Sequence, residues 1–159
     1  PTGFRAPHFG CYQKEEQLQN IYNTLREEGY TFSTTTTPDK ALENGSLYNE
    51  KGIWEFPVSG SKSFPYRILD SWGYFASPKS SKNGIEKYSK HFKKTVDFFV
   101  KNNLPTIINF YADPAHIFAK IEFFNCIKYA EQRGVLFSTY TDIIKIKTKI
   151  KSTCVGLLE

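Results

Sequence analysis

Few side chains in this sequence are chemically versatile. Three histidines (His8, His91, His116) and three cysteines (Cys11, Cys126, Cys154) are scattered widely along the chain. With no CxxC pair, neither a zinc ribbon nor a disulfide framework is suggested, and reduced thiols are the default. Asp113 and His116 are spaced to share a helix start, and His8 follows a separate strand end; together they would offer three ligands to a metal. His91 sits on a lysine-rich helix and adds nothing to that set, so no metal site is read within the chain. Asp113-Pro114 is also a common helix start, with aspartate as the cap and proline in the first turn, and this reading of Asp113 is preferred. Arg5 lies near the end of an extended segment that stops at Pro7; it either closes an ordinary salt bridge or serves a site. Trp72 and Tyr74 either present their rings to a ligand or pin a long loop.

The elements that must carry these residues follow from periodicity. Gly3 to Pro7 reads as a short strand running into a loop. Leu18, Ile21, Tyr22 and Leu25 recur at helical spacing, with Glu15 and Glu16 early and Gly29 placed to end the helix. Tyr30 to Thr37 is β-branched and aromatic, which predicts a strand stopped at Pro38-Asp39. Residues 39–52 read as a loop around Asn44-Gly45 and Lys51-Gly52, and Ile53 to Ser59 as a second strand. Residues 60–84 form a long loop with aromatic anchors, of a length that is often functional. A helix over 85–102 buries Ile85, Tyr88, Phe92, Val96 and Phe99. Pro105 to Ala112 is a nearly continuous apolar run, as in a strand covered on both faces. A helix from Asp113 with Ile117, Ile121, Phe124 and Ile127 inward closes at Gly134; Val135 to Ser138 is a strand, and a last helix or extended tail follows the Thr139-x-x-Asp142 capping box. Alternation of this kind predicts an α/β fold with a mainly parallel sheet and its site at the carboxyl ends of the strands.

At 159 residues and 18.3 kDa, with 40% hydrophobic and 23% charged residues, the chain suits one globular domain. A closed (β/α) barrel typically needs about 250 residues and seldom fewer than about 200. No apolar stretch approaches the about 20 residues of a membrane-spanning helix, and no signal segment opens the chain, so as given it reads as cytoplasmic. Methionine is absent and residue 1 is proline, which fits either a processed start or a piece of a longer protein. Residues 158–159 are set aside as a tag remnant, leaving 1–157 as one partial domain. The net charge of +5 comes largely from lysines between Lys79 and Lys94 and from Lys145, Lys147, Lys149 and Lys151. Such runs are usually a solvated helix face, and with four arginines in the chain, nucleic-acid binding is not favoured.

Several segments, taken in order, carry a resemblance. Gly3-Phe4-Arg5-Ala6-Pro7-His8-Phe9, Leu25 to Tyr30, Glu55 to Ser59, Gly73-Tyr74-Phe75, Ile108 to Pro114 and Gly134 to Tyr140 together resemble the second half of polysaccharide deacetylases of the NodB-homology type. The resemblance implies an incomplete or distorted (β/α) barrel with mainly parallel strands. It also implies an activity: a divalent metal such as zinc polarises the acyl oxygen of an amino sugar, a bound water attacks, and an aspartate acts as base. That aspartate and the family's histidine ligands lie on motifs preceding the matched part and are not in this sequence.

What the resemblance carries over is supporting machinery. Arg5 corresponds to the arginine that pairs with the catalytic aspartate. His8 falls where a backbone N–H helps hold the oxyanion. Asp113 stands where the family has a histidine serving as general acid, with His116 three residues on. Pro7, Trp72 and Tyr74 are the substrate-binding candidates. The resulting expectation is the C-terminal portion of a deacetylase-like hydrolase, inactive alone and without its own cofactor. It acts on a carbohydrate polymer or oligosaccharide, and self-associates or needs an N-terminal half. The alternative is a non-catalytic carbohydrate- or partner-binding domain on the same scaffold.

Overall fold

The computed structural model describes residues 1–7, 11–62, 64–75 and 83–155; the side chains of 64–68 and 151–155 fall outside that description. Strand β1 (Gly3–Phe4) leads to α1 (Glu15–Glu27), β2 (Phe32–Ser33), α2 (Pro38–Asn44), β3 (Tyr48–Glu50) and β4 (Ile53–Glu55). The hairpin β5 (Gly60–Ser61) and β6 (Phe64–Ile68) precedes α3 (Trp72–Phe75), α4 (Gly84–Lys101), α5 (Pro114–Ile117), α6 (Ile121–Gln132) and α7 (Tyr140–Val155).

The main sheet is small and mostly parallel. Its order is β1-β2-β4-β3, with β1, β2 and β4 parallel and β3 folded back antiparallel on β4. Beyond these strands, single backbone bonds extend the wall. Thr34 N–H donates to Phe4, Phe56 N–H to Ser33, Val58 N–H to Thr36 and Ser59 N–H to Asn109; Tyr111 N–H reaches Leu69 and Ser71 N–H reaches Tyr111. Among the described residues this wall is open and no closed barrel forms.

Two apolar clusters cover it. Leu18, Tyr22 and Leu25 of α1 meet Ile53, with Phe4, Ile21 and Tyr30 at the margin. The second cluster joins Tyr74, Tyr88, Phe92 and Val96 to Phe123, Cys126 and Ala130, packing α4 against α6. One close approach fixes the register of β1. Gly3 pairs with Phe32, whose ring stands where a Cβ on residue 3 would be.

Several expectations need correction. The segment 30–37 is a strand only at Phe32–Ser33, because Pro38 starts α2 where a loop was expected and the preceding threonines turn their amides to a side chain rather than a neighbouring strand. Residues 60–84 are not one long loop, since they contain the β5–β6 hairpin and α3. The helix expected from Asp113 to Gly134 is two: Ala119 adopts φ 55° between them. That break rotates the second piece, so Phe123, Cys126 and Ala130 face inward while Ile121 and Phe124 are exposed. Among the described residues neither the expected strand at 105–112 nor that at 135–138 forms: the first makes only an isolated bridge between Tyr111 and Asp70, and in the second Val135 N–H closes the α6 terminus on Ala130.

Candidate functional site

The parallel arrangement gathers the residues just past β1, β2 and β4. There the Arg5 guanidinium is anchored through Nη2, which lies 3.1 Å from Thr34 Oγ1, 3.2 Å from Asn109 Oδ1 and 2.7 Å from the Tyr140 hydroxyl. Two hydrogens are shared among three oxygens. The cation also stands over the Tyr111 ring, 5.2 Å from its centroid.

The acceptors are ordered by a network of their own. Tyr140 donates its hydroxyl proton to Asn109 Oδ1 at 2.7 Å, so its lone pair is what meets Arg5. Asn109, 4% exposed, turns Nδ2 the other way and donates to Thr34 Oγ1, Phe56 O and Pro57 O at 3.0, 2.8 and 3.1 Å. This fixes which end of the amide is oxygen, and it ties the chain at four separate places. Tyr140 is further seated between Phe32 and Phe56, with ring centroids at 5.1 and 4.7 Å.

A second buried acceptor supports the strand ends. Glu55, fully buried on β4, takes N–H bonds from Thr35 (2.7 Å) and Thr36 (2.9 Å) and the Thr36 hydroxyl (3.0 Å) through Oε1; its Oε2 has no hydrogen-bond partner among the described residues. Tyr22 packs near this carboxylate. Burial first, then the Glu55 charge, pushes the Tyr22 hydroxyl well above the usual tyrosine range.

On the adjoining wall, Asp113 is engaged as a helix cap. Its Oδ1 accepts from Ala115 N–H at 2.9 Å, as the Asp-Pro spacing implied. Its own N–H donates to Ser71 Oγ at 2.7 Å, and that oxygen is 3.1 Å from His116 Nδ1. Ser71 Oγ thus links the two, accepting from the Asp113 amide and sharing one proton with His116 Nδ1. The His116 ring is stacked on Phe75 at 5.3 Å and tilted against Trp72 at 5.8 Å.

The candidate residues thus separate. Arg5 is joined to Asn109 and Tyr140, whereas Asp113 and Trp72 belong to the neighbouring Ser71–His116 cluster. Trp72 is 59% exposed. Tyr74 is corrected to a core residue: it is buried, its hydroxyl is 2.9 Å from His91 Nδ1, and its ring abuts Tyr88, so it offers no face to a sugar. Pro7 is exposed at the margin, and His8 lies outside the described residues. Asn109, Tyr140, Ser71 and Glu55 are participants that sequence reasoning did not assign. Asn109 alone gave a signal, as a polar residue inside the apolar run 107–110.

Among the described residues no three His, Cys, Asp or Glu side chains are placed to hold a metal. The described donors do not fit the metal centre that the resemblance implies. No known protein family, curated protein or solved structure matches the chain.

Proposed function

We propose that the chain is the C-terminal portion of a polysaccharide-deacetylase-like hydrolase of the NodB-homology type, which removes acyl groups from amino sugars only when another segment supplies the catalytic carboxylate and the metal ligands. The observation that carries this reading is Arg5, fixed through Nη2 at the carboxyl end of a parallel strand by Tyr140, Asn109 and Thr34. A guanidinium anchored this way is pre-oriented for a carboxylate, with little rotamer freedom left to lose.

The test has two arms. The chain alone, with Zn²⁺ or Co²⁺ and an acetylated chito-oligosaccharide, releases no acetate; metal-dependent release by this chain overturns the proposal. The second arm is the gene: a preceding coding segment with an aspartate pair and two histidines is the expected outcome, and a start codon immediately before Pro1 favours the second reading.

That second reading is a non-catalytic carbohydrate-binding domain, favoured by the commitment of the Asp113 carboxylate to its cap and by the exposed, fixed ring of Trp72. Calorimetric binding of the same oligosaccharide without turnover, lost in Trp72→Ala, would select it.

A further inference from the structure

One lysine of the first basic run, Lys94, shares a groove with two lysines from outside it. Lys94, Phe98 and Lys101 line one edge of α4 at helical spacing, and Lys62, arriving from the β5–β6 hairpin, completes with Asp97 and Asn102 a groove of about 470 Å³. This size suits a small ligand. Lys62 is fixed at both ends: its backbone N–H donates to Thr95 Oγ1 at 3.0 Å and its ammonium rests over the Phe98 ring, 4.6 Å from the centroid.

The charge of this groove is uncompensated. Its one carboxylate, Asp97, is occupied by Arg133 Nε at 3.0 Å and by the Tyr129 hydroxyl at 2.6 Å. Lys62, Lys94 and Lys101 take part in no ion pair among the described residues. The C-terminal end of α4 contributes about half a negative charge, far short of three ammonium groups. The Asn102 amide is turned onto Phe98 O at 2.7 Å, so the lysines set the potential. Three ammonium groups around one groove concentrate an anion rather than a neutral group.

We propose that this groove binds a small ligand bearing an oxyanion, phosphate or carboxylate, held by Lys62, Lys94 and Lys101. The site stands apart from Arg5 and is independent of the deacetylase reading. Its volume does not favour a nucleic-acid duplex, which spans many phosphates.

The test is an amide-resolved NMR titration of the full chain with inorganic phosphate, glucose 6-phosphate, glucuronate and neutral glucose. Saturable shifts at Lys62 and at 94–102 with the anions, absent with glucose, are expected. Equal affinity for inorganic phosphate and glucose 6-phosphate identifies the phosphate group as what is recognised, whereas tighter binding of glucuronate identifies the carboxylate. Replacing Lys62 and Lys101 by Gln weakens binding about tenfold while the spectrum stays folded, and the same charge removal at Lys145 and Lys147 leaves affinity unchanged. The proposal is overturned if no anion saturates by on the order of 10 mM, if both double variants weaken binding equally, or if a short DNA duplex shifts both basic segments more strongly than any small anion.

Discussion

Asn109 shows how much one polar side chain can decide. Its amide donates to two main-chain carbonyls and accepts from Tyr140 and Arg5 in one buried place. Replacing it by Ala removes these bonds at a buried place, and a loss of about 3 kcal/mol is expected in urea unfolding. Asn109→Asp is expected to cost at least as much despite the new charge facing Arg5, because an acceptor would then oppose the carbonyls of Phe56 and Pro57. If Asp proves the milder change, attraction to Arg5 outweighs that repulsion and the network has been read in the wrong order. Tyr88 makes the opposite case. Its buried hydroxyl has no hydrogen-bond partner among the described residues, so Tyr88→Phe is expected to be neutral or to stabilise by up to about 1 kcal/mol in the same assay.

Burial is the leading reason that the hydroxyls of Tyr22, Tyr48 and Tyr88 stand above their ordinary value of 10.0. The fold therefore holds these protons more tightly than the open chain does. Their contribution is complete below pH 10 and is withdrawn as the pH climbs above it, by up to about 1.4 kcal/mol per pH unit for each tyrosine. Thermal midpoints should be flat from pH 8 to the open-chain value of 10.0 as far as these groups govern them, then fall with a step in tyrosinate absorbance. Tyr88→Phe should make the fall shallower; an unchanged slope would count against its raised value.

At the scale of elements, β1 is positioned by what its first residue lacks. A methyl group on residue 3 would meet the Phe32 ring, so Gly3→Ala is expected to cost about 2 kcal/mol or more, with partial recovery when Phe32 is also shortened to Leu, measured by thermal unfolding. The helices were the most legible elements. α1 and α4 bury the residues that their 3.6 period selects, including Tyr22, Leu25, Tyr88 and Phe92. Strands were harder to read because β-rich segments such as 30–37 and 135–139 have the propensity without a neighbour along their whole length, and pairing is a tertiary decision. The face of α6 was misjudged for a local reason: the left-handed turn at Ala119 resets the phase, which no count of apolar spacing reveals. In the candidate site Arg5 and the Asp113 cap were legible from local pattern. The partners of Arg5 come from residues 29, 104 and 135 positions away and were not.

For the molecule as a whole, the apolar surface is unevenly closed. Phe118 is 82% exposed and Leu136 is 92% exposed, with Ile121, Phe124 and Phe137 also uncovered. Apolar patches left in this way drive association, and sedimentation velocity of the isolated chain should show mass rising with concentration. Phe118→Glu with Leu136→Glu should keep it monomeric without lowering the unfolding midpoint, since neither side chain is in the core. A strictly monomeric parent chain at high concentration would argue that the patch is inert.

The hydrogen bond from Arg5 to Tyr140 spans 135 positions, nearly the whole chain. Contacts so distant in sequence form slowly, since the intervening loop must close before they are rewarded. On the ribosome, where synthesis proceeds at about 5–20 residues per second, Arg5 leaves the exit tunnel many seconds before Tyr140 can reach it. The strand end that carries the arginine must therefore wait, unfinished, until Tyr140 has emerged. A nascent chain stalled before Tyr140 should display the α1 and α4 helices without the ordered guanidinium, so translation delivers the elements of the candidate site well before it can deliver the site itself.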